Sequence, residues 1–82
     1  MTGSDELAAR VRAVIAETFE LEPASLPAEP DVESIEKWDS LGHMQLIEAL
    51  EAAFGLEVAH ADAVQLLSQS AIVEHLRGRM RT

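Results

Sequence analysis

Pro23, Pro27 and Pro30 fall within eight residues. Each fixes φ and removes a backbone donor, so no helix runs through this stretch and no central strand can form across it. The chain is divided into one helical segment before the prolines and a helical region after them, joined by a connection of about twenty residues, Glu20 to Asp39. Before the break, Leu7, Val11, Val14, Ile15 and Phe19 recur at helical spacing, with Arg10, Arg12 and Glu17 off the stripe. This predicts a helix over Ser4–Phe19, with Ser4 as N-cap and Asp5 and Glu6 at the positive end of its dipole. After the break, Leu41, Met44, Ile47, Leu50 and Phe54 form a stripe that Leu46, Ala49 and Ala53 widen, which predicts a second helix over Ser40–Phe54, stopped by Gly55. Asp62 and Gln65 have the spacing of a capping box, suggesting a turn or two over Ala63–Leu67. Ser70 reads as the cap of a last helix from Ala71 to about Met80, with Ile72, Val73, Leu76 and Met80 inward and Arg77, Arg79 and Arg81 at its end. The connection carries Leu21, Leu26, Val32, Ile35 and Trp38 and lacks the Gly/Ser bias of a flexible linker. It reads as an ordered loop that lids the core, with room for one helical turn. The expected fold is all-α: a four-helix bundle of three longer helices and one short helix, as a single domain over 1–82.

Charge and composition narrow the function. Fifteen acidic against six basic residues give a net charge of −9, the wrong sign for neutralising nucleic-acid phosphates or an anionic membrane. A basic protein partner fits, since opposite fields steer encounter; the plainer alternative is that the charge only keeps a small domain soluble. There is no cysteine, so any thiol chemistry has to come from a cofactor. The polar, acidic start from Met1 to Glu6 lacks the form of a signal peptide, and no apolar stretch is long enough to span a bilayer. These features lead to the expectation of a cytoplasmic, monomeric, free-standing protein.

The informative stretch is Trp38-Asp39-Ser40-Leu41-Gly42-His43-Met44-Gln45-Leu46-Ile47-Glu48. It puts a serine where a proline-broken loop meets a helix. Unpaired backbone N–H groups and the dipole make that a favourable place for a phosphate ester. Taken alone, Asp39-Ser40 reads more readily as an ordinary N-cap than as a site of chemistry. Asp39, Ser40 and His43 also hold the residue types of a hydrolase triad, but the chain has no Gly-x-Ser-x-Gly turn and little room for a water-excluding pocket with an oxyanion hole. His43, His60 and His75 lack the pairwise spacing of a zinc site.

The order of parts resembles that of acyl carrier proteins: a first amphipathic helix, a long loop ending in Trp38 and Asp39-Ser40-Leu41, a second helix ending in Phe54-Gly55-Leu56, then a short and a final helix. The resemblance implies an all-helical carrier without catalytic activity. It implies that Ser40 receives 4'-phosphopantetheine from coenzyme A, with Asp39 and Leu41 as the attachment motif read by a phosphopantetheinyl transferase. The arm would carry acyl groups as thioesters to acyl-loading and acyl-processing enzymes with basic patches. Glu48 and Glu51 match the family's acidic partner face, with a solvated helix face as the alternative. Met44 and Ile47 read as partner contacts or, more simply, as core, and His43 as an exposed residue near the arm. Gly42-His43 after Asp-Ser-Leu, the modest acidity of the second helix and His60-Ala61 depart from housekeeping fatty-acid carriers and look more like carriers of polyketide or other specialised pathways. The Gly-Gly-His-Ser style of peptidyl carriers is absent, which favours an acyl over a peptidyl carrier. An unmodified acidic helical adaptor remains the alternative.

Overall fold

The computed structural model describes residues 2–80 and the side chains of residues 6–79. The helices are α1 (Thr2–Thr18), α2 (Ser40–Phe54), α3 (His60–Ala63) and α4 (Gln69–Met80), with a 3-10 turn at Pro23–Ser25. This is the expected all-α bundle of three longer helices and one short one. α1 packs against both α2 and α4. It contributes Val11 and Ile15 to the core, with Phe19 directly after it, α2 contributes Leu46 and Leu50, and α4 contributes Ile72 and Leu76; none of these exceeds 2% exposure. Each such burial stabilises by about 1.5–3 kcal/mol relative to the exposed side chain.

Several local expectations are corrected. α1 already includes Ser4, which therefore does not stand outside the helix as a cap; its side chain, those of Asp5 and Met80, and the whole of Arg81 lie outside the described part. The inward stripe of α2 is Gly42, Leu46 and Leu50, whereas Leu41 and Met44 are 65% and 62% exposed. α2 is apolar on more than one side, so periodicity alone could not choose its inner face. The Asp62–Gln65 capping box does not form: α3 starts at His60 behind Ala59, with no side-chain cap bond, and the Gln65 N–H goes to the Asp62 carbonyl at 2.9 Å. At α4 the Ser68 hydroxyl accepts from Ala71 N–H (3.1 Å), while the Ser70 N–H donates to Glu29 Oε2 (2.8 Å). The cap is Ser68, not Ser70.

The loop is ordered for reasons that can be named. Leu26, Ile35 and Trp38 are buried in the core, Val32 packs against it, and only Leu21 turns outward. The Arg12 guanidinium donates to the carbonyls of Leu26 (2.8 Å), Pro27 (2.9 Å) and Pro23 (3.2 Å), satisfying oxygens that the prolines leave outside any regular ladder. Val32 N–H donates to Leu67 O (3.1 Å) and Gln69 N–H to Pro30 O (2.9 Å), joining the loop to the segment before α4. Asp31 Oδ1 accepts from Ser34 N–H (2.8 Å) and Glu33 N–H (3.1 Å).

Arg12→Ala should lower stability by about 1–3 kcal/mol, because three carbonyls lose one charged donor; urea unfolding followed by far-UV circular dichroism would read this as a lower midpoint, and an unchanged midpoint would contradict the clamp. Hydrogen bonding from the Ser34 side chain, then from its backbone N–H, holds the Asp31 carboxyl below its ordinary value. A depressed folded-state value stabilises above the unfolded one, about 3.9, and that contribution is lost as pH falls through the folded value. Asp31→Asn should therefore flatten the stability–pH curve below about pH 4, checked by urea midpoints across acid pH.

Candidate functional site

The site is built where the loop enters α2. Asp39 is extended (φ −96°, ψ −166°), and its Oδ1 accepts the Gly42 N–H at 2.8 Å. Its carbonyl accepts the His43 N–H at 2.7 Å. Asp39 thus fills the capping role that the sequence left open between Asp39 and Ser40. Ser40 is the first residue of the helix and is exposed. The N–H groups of the first helical turn point past it, with the positive end of the dipole behind them.

Glycine is required two residues further on. A Cβ on Gly42 would collide with the Lys37 carbonyl oxygen and sit 2.9 Å from Phe19 Cε1. Its absence lets the first turn of α2 press onto the end of α1. Phe19 in turn meets Trp38, with ring centroids 5.7 Å apart, and Trp38 stacks beside His43 at 6.3 Å. Trp38 is 3% exposed, and its indole N–H donates to His43 Nδ1 at 2.9 Å. His43 Nε2 lies 2.8 Å from the carbonyl oxygen of Ala63, an acceptor, so the ring carries its proton on Nε2. His43 is half-buried and joins the loop, α2 and α3; it is not the exposed residue that the sequence suggested. Both ring nitrogens are engaged, which leaves neither to take a proton from Ser40 and removes the triad reading.

The remaining candidate residues separate into distinct positions. Leu41 and Met44 are exposed on the first turns of α2, just after Ser40. Met44 was read more simply as core; it points outward because Gly42, Leu46 and Leu50 take the inner face. Ile47 is half-buried against the core, and Glu48 is exposed. Glu51 is half-buried, and its Oε2 accepts the Val58 N–H at 2.9 Å, fixing the turn after Gly55. A groove of ≈ 500 Å³ starts at Ser40 and runs past Trp38, His43 and Met44 to His60, Val64 and Leu67. The bracing roles of Phe19, Trp38 and Gly42 were not read from the sequence. Trp38 and His43 do, however, occupy the two positions that flank a helix start as a staple, one before the cap and one four residues into the helix, and a glycine inside a helical stripe is a recognised sign of close packing.

Fold and site together define a small helical domain that exposes a serine at a braced helix start. No family model matches the chain. Among curated proteins, acyl carrier protein 2 of Pseudomonas aeruginosa is 30% identical over 78 residues, covering 95% of this chain and 99% of that protein. The chain belongs to the acyl carrier protein family, and its general role is that of an acyl carrier.

The glycines offer a test with an internal control. Gly42→Ala should destabilise by about 1–3 kcal/mol through overpacking. Gly78→Ala, also in a helix but with nothing within 4 Å of the added Cβ, should stabilise by about 0.5–1 kcal/mol. Thermal unfolding of both variants would show opposite shifts, whereas a stabilising Gly42→Ala would refute the close approach.

Proposed function

We propose that Ser40 is the attachment site of 4'-phosphopantetheine and that the domain, without catalysis of its own, carries acyl groups as thioesters on that arm. The observation that carries this is the division of labour at the helix start: Asp39 makes the cap bond to Gly42, so the exposed Ser40 hydroxyl is left for modification. The residues present fit the group. A phosphodiester on Ser40 would sit at the positive end of α2, and the groove beside it offers apolar contact from Trp38, Met44 and Val64. When bound, the arm supplies the terminal thiol that a cysteine-free chain lacks. Asp39 and Leu41 flank the serine that a phosphopantetheinyl transferase would have to read.

The same surface supports a docking role. Leu41 and Met44 expose apolar area beside the acidic Glu48. Among the described residues the ion pair is Arg77–Glu74 at 4.0 Å, so the acidic excess behind the −9 net charge is not gathered into internal salt bridges. Such a field draws in acyl-loading and acyl-processing enzymes that carry basic patches and favours rapid exchange between them. The sequence departures at Gly42-His43 and His60-Ala61 support a polyketide or related specialised pathway over housekeeping fatty-acid synthesis. An unmodified acidic adaptor would need the same partner face but no exposed, uncapped serine.

Incubating the apo-protein with coenzyme A and a broad-specificity phosphopantetheinyl transferase should add one phosphopantetheine by intact mass, and Ser40→Ala should add none. A wild type that gains nothing under conditions that modify a known carrier would leave the adaptor. Glu48→Lys should slow loading with little change in stability, with the difference shrinking at high salt. Glu51→Lys should lower stability as well, because it removes the acceptor for Val58 N–H.

A further inference from the structure

Residues 59–65 hang between two fixed points. Before them, Arg79 donates to the Glu57 carbonyl at 2.7 Å, and Glu51 Oε2 accepts the Val58 N–H at 2.9 Å. After them, Leu66 is buried and the Leu67 carbonyl accepts the Val32 N–H at 3.1 Å. None of residues 59–65 is buried, and α3, which they contain, has no side-chain cap bond. Their backbone hydrogen bonds stay within residues 59–67. Among the described residues, the one hydrogen bond that ties this segment to the rest of the bundle runs from His43 Nε2–H to Ala63 O, 2.8 Å.

The other ring nitrogen decides whether that tie can hold. Nδ1 accepts the Trp38 indole N–H at 2.9 Å, which it can do only while it carries no proton. A proton on Nδ1 would set two donors face to face. Trp38 is 3% exposed and lies against Phe19, so the half-buried imidazole is the ring that has to move. Its movement takes Nε2 from Ala63 O and leaves a buried indole N–H without an acceptor.

We propose that His43 is a pH-sensitive latch: neutral, it holds residues 59–65 against α2, and protonated, it releases them. The latch is closed at mildly alkaline pH and opens as pH falls. Opening withdraws His60 and Val64 from the wall of the groove beside Ser40, while the anchors on either side keep the chain folded. The ionisable groups that line the depressions around His43 are Asp39 at the end of the loop, Glu48 on α2 and His60 on α3; α1 and α4 contribute none. Asp39 is committed to the Gly42 N–H, whereas the exposed Glu48 offers the imidazolium a new partner. His60 is a second imidazole at the same seam, so the test separates the two. The latch is a property of the bundle itself; only its bearing on loading rests on Ser40 being the attachment site.

The test follows the apo-protein by NMR from about pH 8 to about pH 5, the range in which an imidazole ordinarily changes charge. Wild type, His43→Gln and His60→Gln are compared. Readouts are the nitrogen-15 signals of the His43 ring, the indole N–H of Trp38, the amides of Ala63 and Val64, and the protection of the indole N–H from exchange relative to a small indole in solution. In wild type the indole, Ala63 and Val64 signals should move together, at the pH where the His43 ring takes up its proton. Indole protection should fall by about tenfold as the acceptor is lost, with helix content by circular dichroism retained. His60→Gln should keep the transition, and His43→Gln, which puts no titrating group at that position, should abolish it. Wild-type signals that stay in place over this range, or that move out of step with the His43 ring, would overturn the latch. So would a transition that survives in His43→Gln or vanishes in a folded His60→Gln. If His43→Gln fails to fold, the coincidence of signals in wild type decides alone. Because the protein is unmodified throughout, a failed latch leaves the attachment reading standing, and a Ser40 that takes no phosphopantetheine leaves the latch standing.

Discussion

The indole of Trp38 is buried, and a buried indole N–H needs an acceptor. His43 provides it, and the rest of the site follows from that bond. The chain has one Trp, two Phe and no Tyr, so the Phe19–Trp38–His43 column uses most of its large rings. The column pins the end of the proline-broken loop to the end of α1 and the start of α2. With Trp38 fixed, Asp39 is held extended in capping geometry, and with Asp39 capping, the next residue emerges exposed on the first helical turn. Gly42 makes the arrangement sterically possible, and the second imidazole nitrogen extends the brace to α3.

Charge supplies a second constraint. A domain this small buries only about 60% of the surface of its unfolded chain, and much of what this one leaves outside is acidic. Some carboxylates still have internal roles: Asp39 and Glu29 satisfy backbone donors at helix starts, Asp31 organises the loop, and Glu51 holds the turn after α2. Others, such as Glu48, face solvent near Ser40. This division between structural and free carboxylates indicates which substitutions should alter encounter with partners and which should alter stability.

Much of this was legible in the sequence, and the exceptions have physical causes. The extent of α2 and its stop at Gly55 follow from local periodicity and from glycine's tolerance of positive φ, here 65°; α1 follows from periodicity to within two residues at its start and one at its end, and the burial of Ile35 and Trp38 follows from the apolar residues of a connection without Gly/Ser bias. The inner face of α2 did not follow, because Leu41, Met44 and Ile47 compete with Leu46 and Leu50 and the contact that decides is a missing side chain. Arg12 looked like a surface residue because its three carbonyl partners lie 11 to 15 residues away. The cap of α4 was misplaced by two residues because the Ser70 N–H is taken by Glu29, 41 residues earlier. Ser40, Asp39 and Leu41 stood out through a resemblance of motif and order; the histidine that braces them did not, since its role lies in partners five residues before it and twenty after.

The most direct measurement is the nitrogen-15 NMR spectrum of the His43 imidazole in mildly alkaline buffer, with hydrogen exchange of the Trp38 indole N–H recorded alongside. If the imidazole braces the site, it is locked as the Nε2–H tautomer, with an unprotonated Nδ1 that couples to a slowly exchanging indole N–H. A ring that averages between tautomers, or an indole N–H that exchanges as fast as a free one, would contradict the brace and leave the geometry around Ser40 without its support.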